Sequence, residues 1–107
     1  MNNKLFAINL NFDSLGEAYG WPKDFVEDAA FTRGVDRILN LSQKFDIPIT
    51  FFLVGKDLEN KKNYEIMRRI SNNNNVEIAN HSYNHLFNFG SRNDKIIYDE
   101  IYKSHEL

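Results

Sequence analysis

The stretch ITFFLV, Ile49–Val54, constrains the fold more than any other feature of the chain. It is an uninterrupted run of β-branched, aromatic and aliphatic residues, apolar on both faces and closed by Gly55, and it predicts an interior strand of a parallel sheet. A strand of that kind needs neighbours on both sides and helices against its faces. Upstream, LFAINLNF (Leu5–Phe12) alternates, with Phe6, Ile8, Leu10 and Phe12 on one face and Ala7, Asn9 and Asn11 on the other, the pattern of a second strand. Downstream, VEIAN (Val76–Asn80) is a third, short strand.

Helical spacing fills the intervals. After a Gly-rich loop, DSLGEAYGWP, the positions Phe31, Val35, Ile38, Leu39 and Phe45 predict a helix from about Asp24 to Phe45, with Gly34 weakening its early part. Pro48 disfavours helical geometry at Ile47 and ends it. NYEIMRRIS (Asn63–Ser71) predicts a short helix with Ile66, Met67 and Ile70 inward, closed by the turn Asn72–Asn75. The last helix begins at Asp94, with Ile97, Tyr98 and Ile101 facing in and Asp99 and Glu100 facing solvent. The order β-α-β-α-β-α implies right-handed crossovers and a parallel sheet, an α/β fold. Three strands are few for such a sheet and leave an open edge, so part of a larger barrel or open sheet is expected, with self-association through that edge.

The chain has 107 residues, enough for one domain, and 42% of them are hydrophobic, enough for a packed core. A formal charge of −2, with no Lys/Arg stripe on a helix face, gives no reason to expect nucleic acid. No segment approaches the ~20 apolar residues that span a bilayer, so no membrane partner is expected. The start MNNKLFAINLNF lacks the apolar stretch of a signal peptide; as written, a cytoplasmic protein is expected. There are no cysteines, so any metal must be bound by His and carboxylate.

In parallel α/β folds, ligand groups gather on loops after the carboxyl ends of strands. Asp13 directly follows the first strand; His81 directly follows the third, and His85 lies four residues on. One carboxylate and two imidazoles on one rim suit zinc or a similar divalent ion, with coordination positions left open. Each part has a plainer reading. An H-x-x-x-H spacing in a loop is usually incidental, and an Asp after a strand is commonly a turn residue or helix cap. Convergence on one rim makes the joint case stronger than its parts. His105 near a helix C-terminus is a solvated residue, and Tyr19 and Trp21 are loop packing before they are a sugar-stacking wall.

The segments FAINLNFDS, IPITFFLVGKDLE, VEIANHSYNH and DEIYKSHEL fall in the order and spacing of the polysaccharide deacetylase family, the NodB homology domain, and nearly the whole chain resembles it. EIANHSYNH resembles the family's second motif, H-[ST]-x-x-H. The resemblance implies the first half of a distorted (β/α) barrel, so a partial domain over residues 1–107, and a metal-dependent hydrolase that removes N- or O-acetyl groups from a carbohydrate polymer. It implies Asp13, His81 and His85 as ligands of a divalent metal, with zinc first among the choices, and a carbohydrate substrate. The family's first motif carries two acids. Laid over NFDS as T-F-D-D, Asp13 is the base and Ser14 replaces the ligand; laid as D-x-D, Asp13 is the ligand and Asn11 replaces the base. We favour the ligand assignment, because two imidazoles alone hold a divalent ion poorly. It leaves no catalytic residue assigned, and the chain alone is expected to be inactive or nearly so. The later motifs of the family would lie beyond Leu107. The alternative is a metal- or sugar-binding module without catalysis. A receiver-like domain is strongly disfavoured by Asn80-His81, where an acceptor Asp would be needed.

Overall fold

A computed structural model describes residues 7–14, 20 and 28–107. Leu5 and Phe6 of the first strand, the loop residues Tyr19 and Trp21, and the predicted helical start at Asp24 lie outside the described residues. Three parallel strands, β1 (Ile8–Phe12), β2 (Ile49–Leu53) and β3 (Val76–Asn80), form one sheet in the order β1-β2-β3. Between and after them run α1 (Val35–Phe45), α2 (Lys61–Ser71) and α3 (Asp94–His105). The α/β fold with an interior ITFFL strand is therefore the one observed; Val54 lies just past the end of β2 rather than in it. Among the described residues, no helix is long and apolar enough to cross a membrane.

The register explains how one face becomes core and the other becomes surface. Leu10 pairs with Phe51 and Phe51 with Ile78, so these three point to one side, together with Ile8, Ile49 and Val76. That side meets α1 and α2: Phe12, Phe31, Val35, Ile49, Phe51, Leu53, Met67 and Ile70 form the buried cluster. Phe12 stands edge-on to Phe31 at 5.0 Å and to Phe51 at 5.3 Å between centroids, aromatic geometry that adds about 0.5–1.5 kcal/mol per pair to simple burial. The opposite face carries Asn9, Asn11 and Glu77, all exposed, beside half-buried Thr50, Phe52 and Ala79. Thr50 Oγ1 donates to Glu77 Oε2 across the strands at 2.7 Å. The sheet is apolar on one face only, so the reading of β2 as apolar on both faces needs correction: its second face is one Thr and one Phe in a polar surround.

The helices differ from expectation at their ends. A π-helical turn, Ala30–Gly34, precedes α1, and Phe31 and Val35, four residues apart on one face, are both buried in the core. Phe45, expected inward, is 56% exposed. The chain reverses immediately after it through Asp46 in the left-handed conformation (φ 50), and fully buried Ser42 takes the last inward position. Ser42 Oγ donates to the Ile47 carbonyl at 2.6 Å while Ile47 N–H donates to the Ser42 carbonyl at 2.9 Å. This reciprocal pair closes the helix before Pro48 acts. The Asn run is also structural: Asn75 donates to Asp46 Oδ1 and its carbonyl accepts from Ile49 N–H, joining the starts of β2 and β3.

On α3 the expected facing is partly inverted. Tyr98 and Ile101 are 63% and 43% exposed, whereas Glu100 is only 6% exposed. The helix packs with Glu100 toward the loop that follows β3, because that loop supplies the hydrogen-bond donors a buried carboxylate needs. Asp99 does face solvent, pairing with Lys95 at 2.7 Å. That partner raises the Lys95 pKa, through its hydrogen bond first and its charge second.

Candidate metal centre

The candidate residues lie at the carboxyl ends of β1 and β3, on either side of the end of β2. His81 N–H donates to the Leu53 carbonyl at 2.9 Å, extending the β2–β3 ladder by one rung and fixing where the imidazole leaves the backbone. Four residues on, His85 lies in the left-handed region (φ 52), as does Ser82 (φ 63). Holding a non-glycine residue there costs about 1–2 kcal/mol. Two left-handed residues in four turn the chain back on itself and bring the His81 and His85 rings to 4.8 Å between centroids.

Asp13 joins them. One donor atom from each of Asp13, His81 and His85 falls in a group whose members all lie within 4.8 Å of one another, and among the described residues no other set of three such side chains does so. Asp13 Oδ1 and His81 Nε2 are 3.9 Å apart, too far for a hydrogen bond. Both atoms are buried and neither has a hydrogen-bond partner, a costly state for polar groups. Donors around a tetrahedral zinc ion stand roughly 3.3 Å apart, so the cluster is slightly wider than a closed coordination shell. The orphaned pair and the hard, borderline-soft donor set both fit a divalent cation. His85 is exposed, so the site opens to solvent on that side. Beside it is a cavity of about 290 Å³ lined by Asn80, His81, Ser82, His85, Leu86, Phe89 and Ile101.

The loop between the histidines is specified almost atom by atom. Ser82 and Tyr83 carbonyls accept from Gly55 and Lys56 N–H, each at 2.9 Å. Ser82 N–H donates to Asn80 Oδ1, and Asn80 Nδ2 donates to the Ile101 carbonyl on α3. Tyr83, 4% exposed, plugs the space over Gly55. Its ring lies 3.5 Å from the Lys103 ammonium, and its hydroxyl donates to Glu59. On the other ligand strand, Ser14 N–H donates at 2.6 Å to Asp57 Oδ2, a buried carboxylate in the turn after β2. Asn63 of α2 supports that turn by donating to the Asp57 carbonyl.

Asp57, Tyr83 and Glu100 were not singled out from the sequence. Nothing in their local patterns marks them, since the partners that define their roles, Ser14 for Asp57, Gly55 for Tyr83 and Asn84 for Glu100, lie far away in the chain. His105 is exposed, as expected for a solvated residue.

A parallel α/β sheet with one carboxylate and two imidazoles converging past its strand ends is a fold with a candidate metal centre on its rim. The sequence model of the polysaccharide deacetylase family matches residues 7–107, and the chain belongs to that family. Membership implies deacetylation of carbohydrate, typically with a metal. Comparisons with curated proteins and with solved structures gave no match.

Proposed function

We propose that Asp13, His81 and His85 hold a divalent cation, most suitably zinc, and that the site serves the hydrolytic removal of acetyl groups from a carbohydrate polymer. The observation that carries this reading is the pair of buried, partnerless atoms, Asp13 Oδ1 and His81 Nε2, facing each other across 3.9 Å with His85 alongside. Buried polar atoms without partners are rare in native proteins, and a cation between them removes the cost.

A cation held there supplies a Lewis acid for the acetyl carbonyl and for an attacking water. Asp13 contributes the negative charge and the two imidazoles neutral donors. Exposed His85 leaves the approach open to a ligand. The open cavity beside it, about 290 Å³, falls just below the usual range of ligand pockets (roughly 300–1,000 Å³). Its wall of Leu86, Phe89 and Ile101 is apolar, and Asn80 and Ser82 add polar groups.

Among the described residues, no further carboxylate joins the three as a general base. On β1, Asn11 stands one pleat back from Asp13, exposed, and an amide cannot take a proton from water at neutral pH. We therefore expect the chain by itself to bind metal with little or no turnover, which also keeps the non-catalytic module as a second reading. The test is calorimetric titration of the chain with zinc, beside acetyl-release assays on an N-acetylated chito-oligosaccharide and on acetylated xylan. One zinc site, lost in D13A/H81A/H85A, is the expected result. A folded chain that takes up neither zinc nor cobalt overturns the metal site; vigorous acetyl release would overturn the missing base and remove the module reading.

A further inference from the structure

The buried carboxylate of α3 has no part in the chemistry above, yet it faces the histidine loop. Glu100 Oε2 accepts from Tyr83 N–H at 3.2 Å and from Asn84 N–H at 2.7 Å, and Glu100 Oε1 accepts from the Asn84 side-chain amide. Glu100 is separated from these residues by 16 and 17 positions in sequence. It is only 6% exposed on a helix whose apolar residues Tyr98 and Ile101 are turned outward. A helix that buries its carboxylate and exposes its aromatics is oriented by that carboxylate.

We propose that Glu100 is a positioning residue for the metal centre: it clamps the segment between Ser82 and His85 and so holds both imidazoles in the arrangement that converges on Asp13. The proposal rests on the metal-binding reading above. Three features make the clamp necessary. The segment contains two left-handed residues, Ser82 and His85, which relax to ordinary conformations unless surrounding contacts over-determine them. Tyr83 and Asn84 lie between those two residues, so fixing their N–H groups fixes the direction of the chain as it enters and leaves the turn. The other anchors act elsewhere: Gly55 and Lys56 hold carbonyls 82 and 83, and Asn80 holds Ser82 N–H. Among the described residues, only Glu100 is bonded to the amides of Tyr83 and Asn84. Asn80 Nδ2 on the Ile101 carbonyl fastens the same helix at the adjacent residue.

The proposal separates two variants that a merely structural role would treat alike by charge or by size. In E100Q the remaining carbonyl oxygen can still accept from both backbone amides. The new NH₂ then meets the Asn84 side chain, which can turn to offer its own oxygen. In E100A all three bonds are lost. The test is zinc titration of the full chain and of both variants, with thermal melting of the metal-free proteins and amide exchange at Tyr83 and Asn84 followed by NMR. We expect E100A to bind zinc about 10- to 100-fold more weakly, the range seen when groups that orient metal ligands are removed. E100Q should recover most of that loss, and amides 83 and 84 should exchange faster in metal-free E100A than in the parent chain. A folded E100A with unchanged zinc affinity overturns the proposal, as does unchanged protection of both amides. A parent chain that binds no zinc, but whose amides 83 and 84 are deprotected in E100A, refutes the metal-binding reading while leaving the clamp standing. If E100A fails to fold, E100Q decides: zinc affinity more than about 10-fold below the parent chain contradicts the recovery the geometry requires.

Discussion

Gly55 is the position at which a single methyl group tests the packing of the whole site. It follows β2 and its φ is not in the left-handed region, so alanine is compatible with the backbone and only the added Cβ matters. That Cβ would stand 2.8 Å from Tyr83 Cδ2, with Leu107 Cδ1 and Ser104 Oγ each at 3.1 Å. Ordinary contact begins near 3.4 Å, so the Tyr83 ring must retreat by 3.4 − 2.8 = 0.6 Å. The ring cannot do so freely, since Lys103 caps its face at 3.5 Å and its hydroxyl is tied to Glu59. Overpacking of this kind costs about 1–3 kcal/mol. Replacing glycine also narrows the unfolded ensemble, which returns about 0.4–1 kcal/mol. The clash wins, leaving a net loss of about 1–2 kcal/mol. For a domain of this size that is a fall in Tm of about 4–8 °C, read by circular dichroism. Tyr83 lies midway between His81 and His85, so zinc affinity should drop about 10-fold in parallel. In a Y83A background the same G55A change should cost clearly less, because the closest obstruction is gone and only the 3.1 Å approaches to Leu107 and Ser104 remain. An unaltered Tm and zinc affinity in G55A, or an equal cost with and without Tyr83, would refute the reasoning.

Other substitutions probe the remaining layers. His85→Gly relieves the left-handed strain at φ 52 and should raise metal-free stability by up to about 1 kcal/mol, while zinc binding by calorimetry falls at least about 100-fold. Phe51→Ala empties the centre of the fully buried face and should cost about 3–5 kcal/mol in urea unfolding, a large part of a typical domain's 5–15 kcal/mol. Asn93→Ala removes the side chain that caps α3 through Ile96 N–H at 3.0 Å and should cost about 1 kcal/mol in Tm-derived stability. Arg69→Ala breaks a 2.6 Å ion pair with Asp36 whose side chains are 58% and 52% exposed; solvent screening there keeps the expected change under about 1 kcal/mol by the same denaturation assay.

The strands and helices were legible because each is written in a period. Alternation marks β1, the unbroken apolar run marks β2, and the three-and-four spacing of Ile66, Met67 and Ile70 marks α2. The register then follows from which residues are apolar, since a one-residue slip would turn Ile8, Leu10 and Phe12 out to solvent. Periodicity failed where tertiary contacts decide. At Phe45 the helix ends against left-handed Asp46 and the ring is left exposed. On α3 the apolar residues Tyr98 and Ile101 satisfy a helical pattern that the structure does not use.

The same distinction runs through the site. Asp13, His81 and His85 could be named from the sequence because a parallel sheet places everything just past its strand ends on one rim, and the structure brings their donor atoms within 4.8 Å. What could not be read is why the rim keeps its shape. The strand-end rule supplies Asp13 and His81 directly, but His85 arrives only through two unfavourable left-handed residues, and those persist because of groups at sequence positions 55, 56, 80 and 100. The identity of the candidate ligands is therefore local and motif-like, whereas their geometry is borrowed from β2 and α3. It follows that substitutions at Gly55 or Glu100, which leave the three proposed ligands intact, should weaken metal binding more than substitutions at exposed residues of the loop itself, such as Phe87.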